Sequence, residues 1–275
     1  MSAGGRIAAF AALLAAIFAG AALAGAALDP EGAGAGAEHA ATEAGHGAPA
    51  ATAGVPAGLA SAQDGLRLVA SRTRFEAGSP QRLHFRIAGP GAATVRAFAP
   101  EQARRMHLIL VRRDLRRYQH LHPVQSPDGA WTTELTLPDA GVYRAFADFR
   151  TGGERRTLGI DLFVAGDFQP LDLPPASDRA TAGGYEVQLT EPQAGELRFA
   201  VRRDGRPVTD LQPYLGARGH LVALRAGDLA YRHVHPLEGS GAQIAFETGA
   251  REATASRLFL QFRHRGRVHT AAFTR

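Results

Sequence analysis

Residues 131–137 read Trp131-Thr132-Thr133-Glu134-Leu135-Thr136-Leu137. Trp131, Leu135 and Leu137 fall at even intervals, the two-residue period of a strand that buries one face. Tyr143-Arg144-Ala145 continues the alternation. Outward from this pair, short β-rich runs recur at Leu66–Ala70, Arg82–Ile87, Thr94–Phe98, Met106–Arg112, Tyr118–His122, Val142–Phe149 and Thr157–Val164, divided by Gly, Pro and Asp turns. No long stretch carries a 3.6-residue period. Many short strands at regular spacing predict an all-β, immunoglobulin-like sandwich. Asp139-Ala140-Gly141-Val142-Tyr143 adds the pattern of a tyrosine corner, in which a Tyr at a strand start bonds back to the chain.

The second half repeats the first. Met106-His107-Leu108 followed by Tyr118-Gln119-His120-Leu121-His122-Pro123 aligns without a gap on Gly219-His220-Leu221 followed by Tyr231-Arg232-His233-Val234-His235-Pro236, an offset of 113 positions. At the same offset Phe146 falls on Phe259, Phe149 on Phe262 and Arg150 on Arg263, whereas Tyr143 falls on Ser256 and Trp131 on Ile244. A duplication this regular predicts two tandem sandwiches, 63–165 and 185–275, joined by a Pro-rich linker at 166–184. The tyrosine corner is expected in the first copy only.

Ahead of them, Arg6 precedes an uncharged apolar stretch from Ile7 to Leu23, and Ala22-Leu23-Ala24 offers a cleavage site. Residues 1–28 therefore read as a secretory signal or, uncleaved, as an N-terminal membrane anchor. Residues 29–62, rich in Ala, Gly, Pro and Thr, read as a flexible tether, with His39 and His46 as solvated side chains. The working part of the chain is thus expected outside the cytoplasm, secreted or in the cell envelope.

Composition narrows the chemistry. Of 275 residues, 45% are hydrophobic and 21% charged, the balance of a soluble globular protein. Cysteine is absent and methionine occurs twice, which excludes disulfides, thiolate zinc, iron–sulfur clusters and a Met-rich copper(I) site. The net charge is +5, but all 31 basic residues are Arg, dispersed among 26 acidic ones with no long basic run, so nucleic acid is not expected as a partner.

Histidine carries the most specific pattern. In each copy one His precedes a His-x-His-Pro by 13 residues. Residues i and i+2 of a strand share a face about 6.6 Å apart. If the hairpin sets His107 opposite His120 or His122, three imidazoles meet at cross-strand distances of about 4.5–5.5 Å, and a slip of one residue destroys the arrangement. The same holds for His220, His233 and His235, with Glu238 available as a further ligand in that copy. Three neutral imidazoles suit copper(II) or zinc. Structural histidines, with Asp114 and Asp228 as partners, are the competing reading. His84, His264 and His269 have no counterpart in the other copy and are expected to pack or face solvent.

The stretch from Met106 to Pro123, with its His and His-x-His-Pro, resembles the signature of YtkA-like bacterial envelope β-sandwich domains. The two-copy layout is similar to uncharacterised secreted proteins of high-GC actinobacteria. That resemblance implies an exported domain associated with copper or heavy-metal handling. No serine-hydrolase elbow, P-loop or dinucleotide fingerprint is present. The sequence thus predicts a non-enzymatic, exported metal-binding protein that buffers or delivers copper, with zinc as second choice. The alternative is an envelope protein–protein interaction module. Whether the two histidine sets stay separate or merge at a domain interface is left open by the sequence.

Overall fold

The computed structural model describes residues 55–232, 234–237, 243–248 and 254–275. The expected signal segment, most of the tether, His39, His46, His233 and Glu238 lie outside the described residues. The described residues belong to one compact unit. None of the described residues forms a helix long and apolar enough to cross a membrane.

The first repeat is a sandwich of two five-stranded sheets. One runs in the order β1 (Ala62–Gln63), β2 (Leu66–Ala70), β4 (Pro80–Ala88), β8 (Trp131–Thr136), β7 (Val124–Gln125). The other runs β3 (Arg74–Phe75), β10 (Glu154–Val164), β9 (Gly141–Thr151), β5 (His107–Arg112), β6 (Gln119–Leu121). In the second repeat one sheet is β11 (Arg179–Ala182), β12 (Tyr185–Gln193), β13 (Glu196–Arg203), β18 (Gln243–Glu247), β17 (His235–Leu237), with β14 (Arg206–Pro207) beside β13. Its other sheet is β16 (Tyr231–Arg232), β15 (Gly219–Arg225), β19 (Ser256–His264), β20 (Arg267–Thr274). The expected all-β architecture is the one found.

Each sandwich encloses its own core. Trp131 and Leu135 of the alternating stretch point inward beside Leu83, Phe85 and Leu108, and Phe199, Phe246 and Phe262 fill the second core. A third cluster joins the two repeats: Ile109, Val111 and Phe146 from the first pack with Val222, Leu224 and Phe259 from the second. The strand period explains this. Leu108 and Leu110 of β5 face their own core, so Ile109 and Val111 face away from it, and an all-apolar strand needs cover on both sides. In β15, Leu221 and Ala223 face inward, and Val222 and Leu224 face the first repeat. Burying each such large side chain is worth about 1.5–3 kcal/mol.

Three boundaries differ from the sequence reading. The tether was expected to run to Ala62, yet Ala57 and Gly58 are docked between the repeats. Tyr231 N–H donates to Ala57 O at 2.8 Å, Gly58 N–H to Thr157 O at 2.9 Å, and the Arg144 guanidinium to Gly58 O at 2.7 Å. Gly58 sits at φ +77°, and a Cβ there would lie 2.5 Å from the Phe146 ring, so this contact requires glycine. Thr94–Phe98 makes one isolated bridge, Thr94 with Ala88, a second following just beyond it between Ala99 and Arg150, and is not a strand. The linker span 166–184 contains β11, whose backbone pairs along β12.

The tyrosine corner forms as expected. Tyr143 Oη donates to Asp139 O at 3.1 Å and accepts from Asp139 N–H at 3.3 Å, with the ring fully buried. Tyr143→Phe strands these two backbone groups and is expected to cost about 1–2 kcal/mol in urea unfolding. A change within error of zero would remove the corner from the stability account.

Candidate metal centre

The face of β5 that carries Ile109 and Val111 also carries His107, and the face of β15 that carries Val222 and Leu224 also carries His220. Both imidazoles therefore enter the seam between repeats, where they are 2% and 3% exposed. On β6, His120 lies opposite Ile109 and Leu121 opposite Leu108, the register in which His107, His120 and His122 share a face. The result is a single cluster of four rings. Centroids are 5.1 Å apart for His107–His120, 4.6 Å for His120–His122, 4.5 Å for His120–His220 and 5.6 Å for His107–His220. One ring nitrogen each from His107, His120 and His220 lies within 4.8 Å of the other two.

Hydrogen bonding fixes which nitrogens face inward. His107 Nε2 lies 2.9 Å from the Glu101 carbonyl oxygen, which only accepts, so Nε2 carries the proton and Nδ1 is a bare lone pair. His120 Nδ1 lies 2.6 Å from Gln261 Oε1, which places its proton on Nδ1 and leaves Nε2 bare. These two lone pairs, His107 Nδ1 and His120 Nε2, are 2.9 Å apart. Two unprotonated nitrogens that close repel unless a cation lies between them. His220 Nδ1 and His122 Nε2 are buried with no hydrogen-bond partner. Outer nitrogens anchored to oxygens and inner nitrogens left free is how metal-bound histidines are held. The donor set fits a metal ion.

Burial pushes all four imidazoles toward the neutral form. Desolvation lowers His107, His120 and His220, and it lowers His122 to about 4, with the neighbouring histidines reinforcing the shift in His120, His122 and His220. The Glu101 carbonyl and Asp148 oppose it at His107. In the unfolded chain each histidine titrates near 6.5, so below that pH the unfolded state binds protons that the folded state refuses. The stability this neutrality carries is complete above about pH 6.5 and is lost progressively as pH falls below it. In the presence of a chelator the melting temperature is therefore expected to fall between pH 7 and pH 5, and a flat profile would contradict the burial of neutral rings.

The family model described as a domain of unknown function, DUF8832, matches residues 60–166 and again residues 180–275. The chain belongs to this family. The two DUF8832 segments are the two sandwiches, and the duplication read from the histidine pattern is a duplication of this domain. No curated protein matches the chain. Among solved structures, Salmonella α2-macroglobulin reacted with methylamine is 15% identical with a TM-score of 0.29, covering 80% of this chain and 15% of that one. The Escherichia coli adhesin FdeC is 12% identical, TM-score 0.26, covering 76% and 63%. A DUF4785 family protein from Legionella pneumophila is 11% identical, TM-score 0.28, covering 74% and 54%.

Of the six histidines expected in two separate triads, the first DUF8832 copy contributes His107, His120 and His122 as a group. The second copy departs from the expectation. His220 joins the first copy's cluster, while His235 is exposed and pairs with Glu247 on β18, in the opposite sheet. The physical cause is an earlier crossing. β16 ends at Arg232, and by His235 the chain has left that sheet, whereas its counterpart β6 continues to Leu121 and the crossing strand β7 begins only at Val124. His233 is outside the described residues. Asp114 and Asp228 hold Arg112 and Arg225 rather than any histidine. His84 bonds Thr132, and His264 bonds Tyr185 and Asp210, away from the cluster. The residue that sequence reasoning missed is Gln261. It pairs with His220 across β15 and β19 as Asp148 pairs with His107 across β5 and β9, and the 113-residue offset places Gln261 on Asp148.

Proposed function

We propose that this protein is an exported, non-enzymatic metal carrier that holds one ion per chain, copper(II) by preference and zinc as second choice, in the seam between its DUF8832 copies. His107 Nδ1, His120 Nε2 and His220 are the ligands, and His122 stands beside them. The observation that carries this reading is the pair of inward lone pairs 2.9 Å apart, an arrangement that a cation relieves. At metal–nitrogen distances near 2.0–2.1 Å, that separation subtends an angle of ~90° at the ion. A right angle suits adjacent positions of tetragonal copper(II) better than a tetrahedral zinc site. Nitrogen-only ligation also binds copper(II) more tightly than the other divalent first-row ions.

The apolar N-terminal segment and the resemblance of the His/His-x-His-Pro stretch to YtkA-like domains support an envelope location and a role in buffering copper or passing it to an envelope partner. The test is calorimetric titration of the chelator-treated full chain with copper(II) near pH 7. One ion per chain is expected. Two ions, or no saturable uptake, would overturn the assignment, the latter leaving the histidines as scaffolding for an interaction module.

A further inference from the structure

Beside the histidines the seam opens into a cleft of about 620 Å³, whose lining includes Arg104, His120, His122, Tyr214, Gln261 and Arg263. We propose that this cleft is a binding site for a small oxoanion or carboxylate, held by Arg104 and Arg263 against the edge of the imidazole cluster. Among the described residues that line it there is no Asp or Glu. Many arginines of this protein are tied to carboxylates, as Arg112 is to Asp114, Arg150 to Glu101 and Arg155 to Asp148. Arg104 and Arg263, in contrast, are exposed and form no side-chain hydrogen bond or ion pair with the described residues.

Two uncompensated guanidiniums on a concave wall concentrate anions there. Their planar forks match the oxygens of a carboxylate or phosphate. The His120 and His122 rings form the adjoining part of the same wall. The site goes beyond the metal assignment because its recognition groups are the two arginines. It also gives that assignment a consequence, since an anion seated here lies next to His120 and any ion it holds.

The test uses the full chain stripped of metal by a chelator, so its outcome does not depend on whether copper binds. Inorganic phosphate and malonate are titrated in separate arms at constant ionic strength, and binding is read by calorimetry. Saturable one-site binding of at least one probe is expected, and the stronger arm tells oxoanion from carboxylate. Arg104→Gln/Arg263→Gln is expected to weaken it roughly tenfold or more. Arg67→Gln/Arg206→Gln, which removes the same charge from exposed positions elsewhere, leaves it unchanged. Absence of saturable binding of either probe, or equal weakening in the two double variants, would overturn the proposal.

Discussion

His220→Ala is expected to abolish stoichiometric copper uptake by the whole chain, although the first repeat keeps His107, His120 and His122 intact. This follows from the seam. The group of three convergent nitrogens takes two from the first repeat and one from the second. Losing one of three ligands is expected to weaken binding on the order of 100-fold or more, beyond the 10–100-fold typical of losing an outer-shell partner. His235→Ala, an exposed residue on the opposite sheet, is expected to titrate like the parent. Two independent triads would instead give equal effects, with each variant removing half of the capacity. Melting curves of both metal-free variants separate loss of a ligand from loss of fold.

The largest stability effect is expected at Asp148. Its carboxylate is 2% exposed and accepts from Arg155 Nη2 at 2.7 Å, Arg155 Nε at 3.2 Å and Thr157 Oγ1 at 3.0 Å. Asp148→Ala leaves a guanidinium whose side chain is 14% exposed without its counter-ion, a loss of about 3–5 kcal/mol. That is a large share of the 5–15 kcal/mol typical of a folded domain. Removing both charges, as in Asp148→Leu/Arg155→Met, is expected to recover most of the loss, because the cost lies in the orphaned charge rather than in the pair. Chemical denaturation of the three proteins checks this, and a double variant as unstable as the single one would contradict it.

How far the sequence reaches can be seen at β5. The 13-residue spacing and the strand period placed His107, His120 and His122 on one face, and the structure has that register. The all-apolar run Leu108-Ile109-Leu110-Val111, repeated as Leu221-Val222-Ala223-Leu224, also held the information that both faces of each strand are buried. The odd positions of β5 and the even positions of β15 must find a second partner, and His107 and His220 lie on those faces. What the run could not say was that the partner of each repeat is the other repeat. That is a long-range packing choice, with no local periodicity to announce it. The fate of His235 was equally hidden, because the residue at which a strand crosses between sheets depends on pairing energies along β18 rather than on the His-x-His spacing. Gln261 escaped notice for a simpler reason: its equivalence to Asp148 is visible in the alignment of the copies, but a Gln matched to an Asp does not read as a ligand support until the cross-strand register is known.

The central claim is that a metal ion sits in the seam and is held from both sides. Anomalous scattering at the copper edge from crystals grown with copper(II) tests it most directly. The account predicts one peak per chain, about 2.0–2.1 Å from His107 Nδ1 and His120 Nε2 and within bonding reach of His220. A peak confined to residues outside the cluster, or unaltered imidazoles with no peak between them in a copper-saturated crystal, would contradict it.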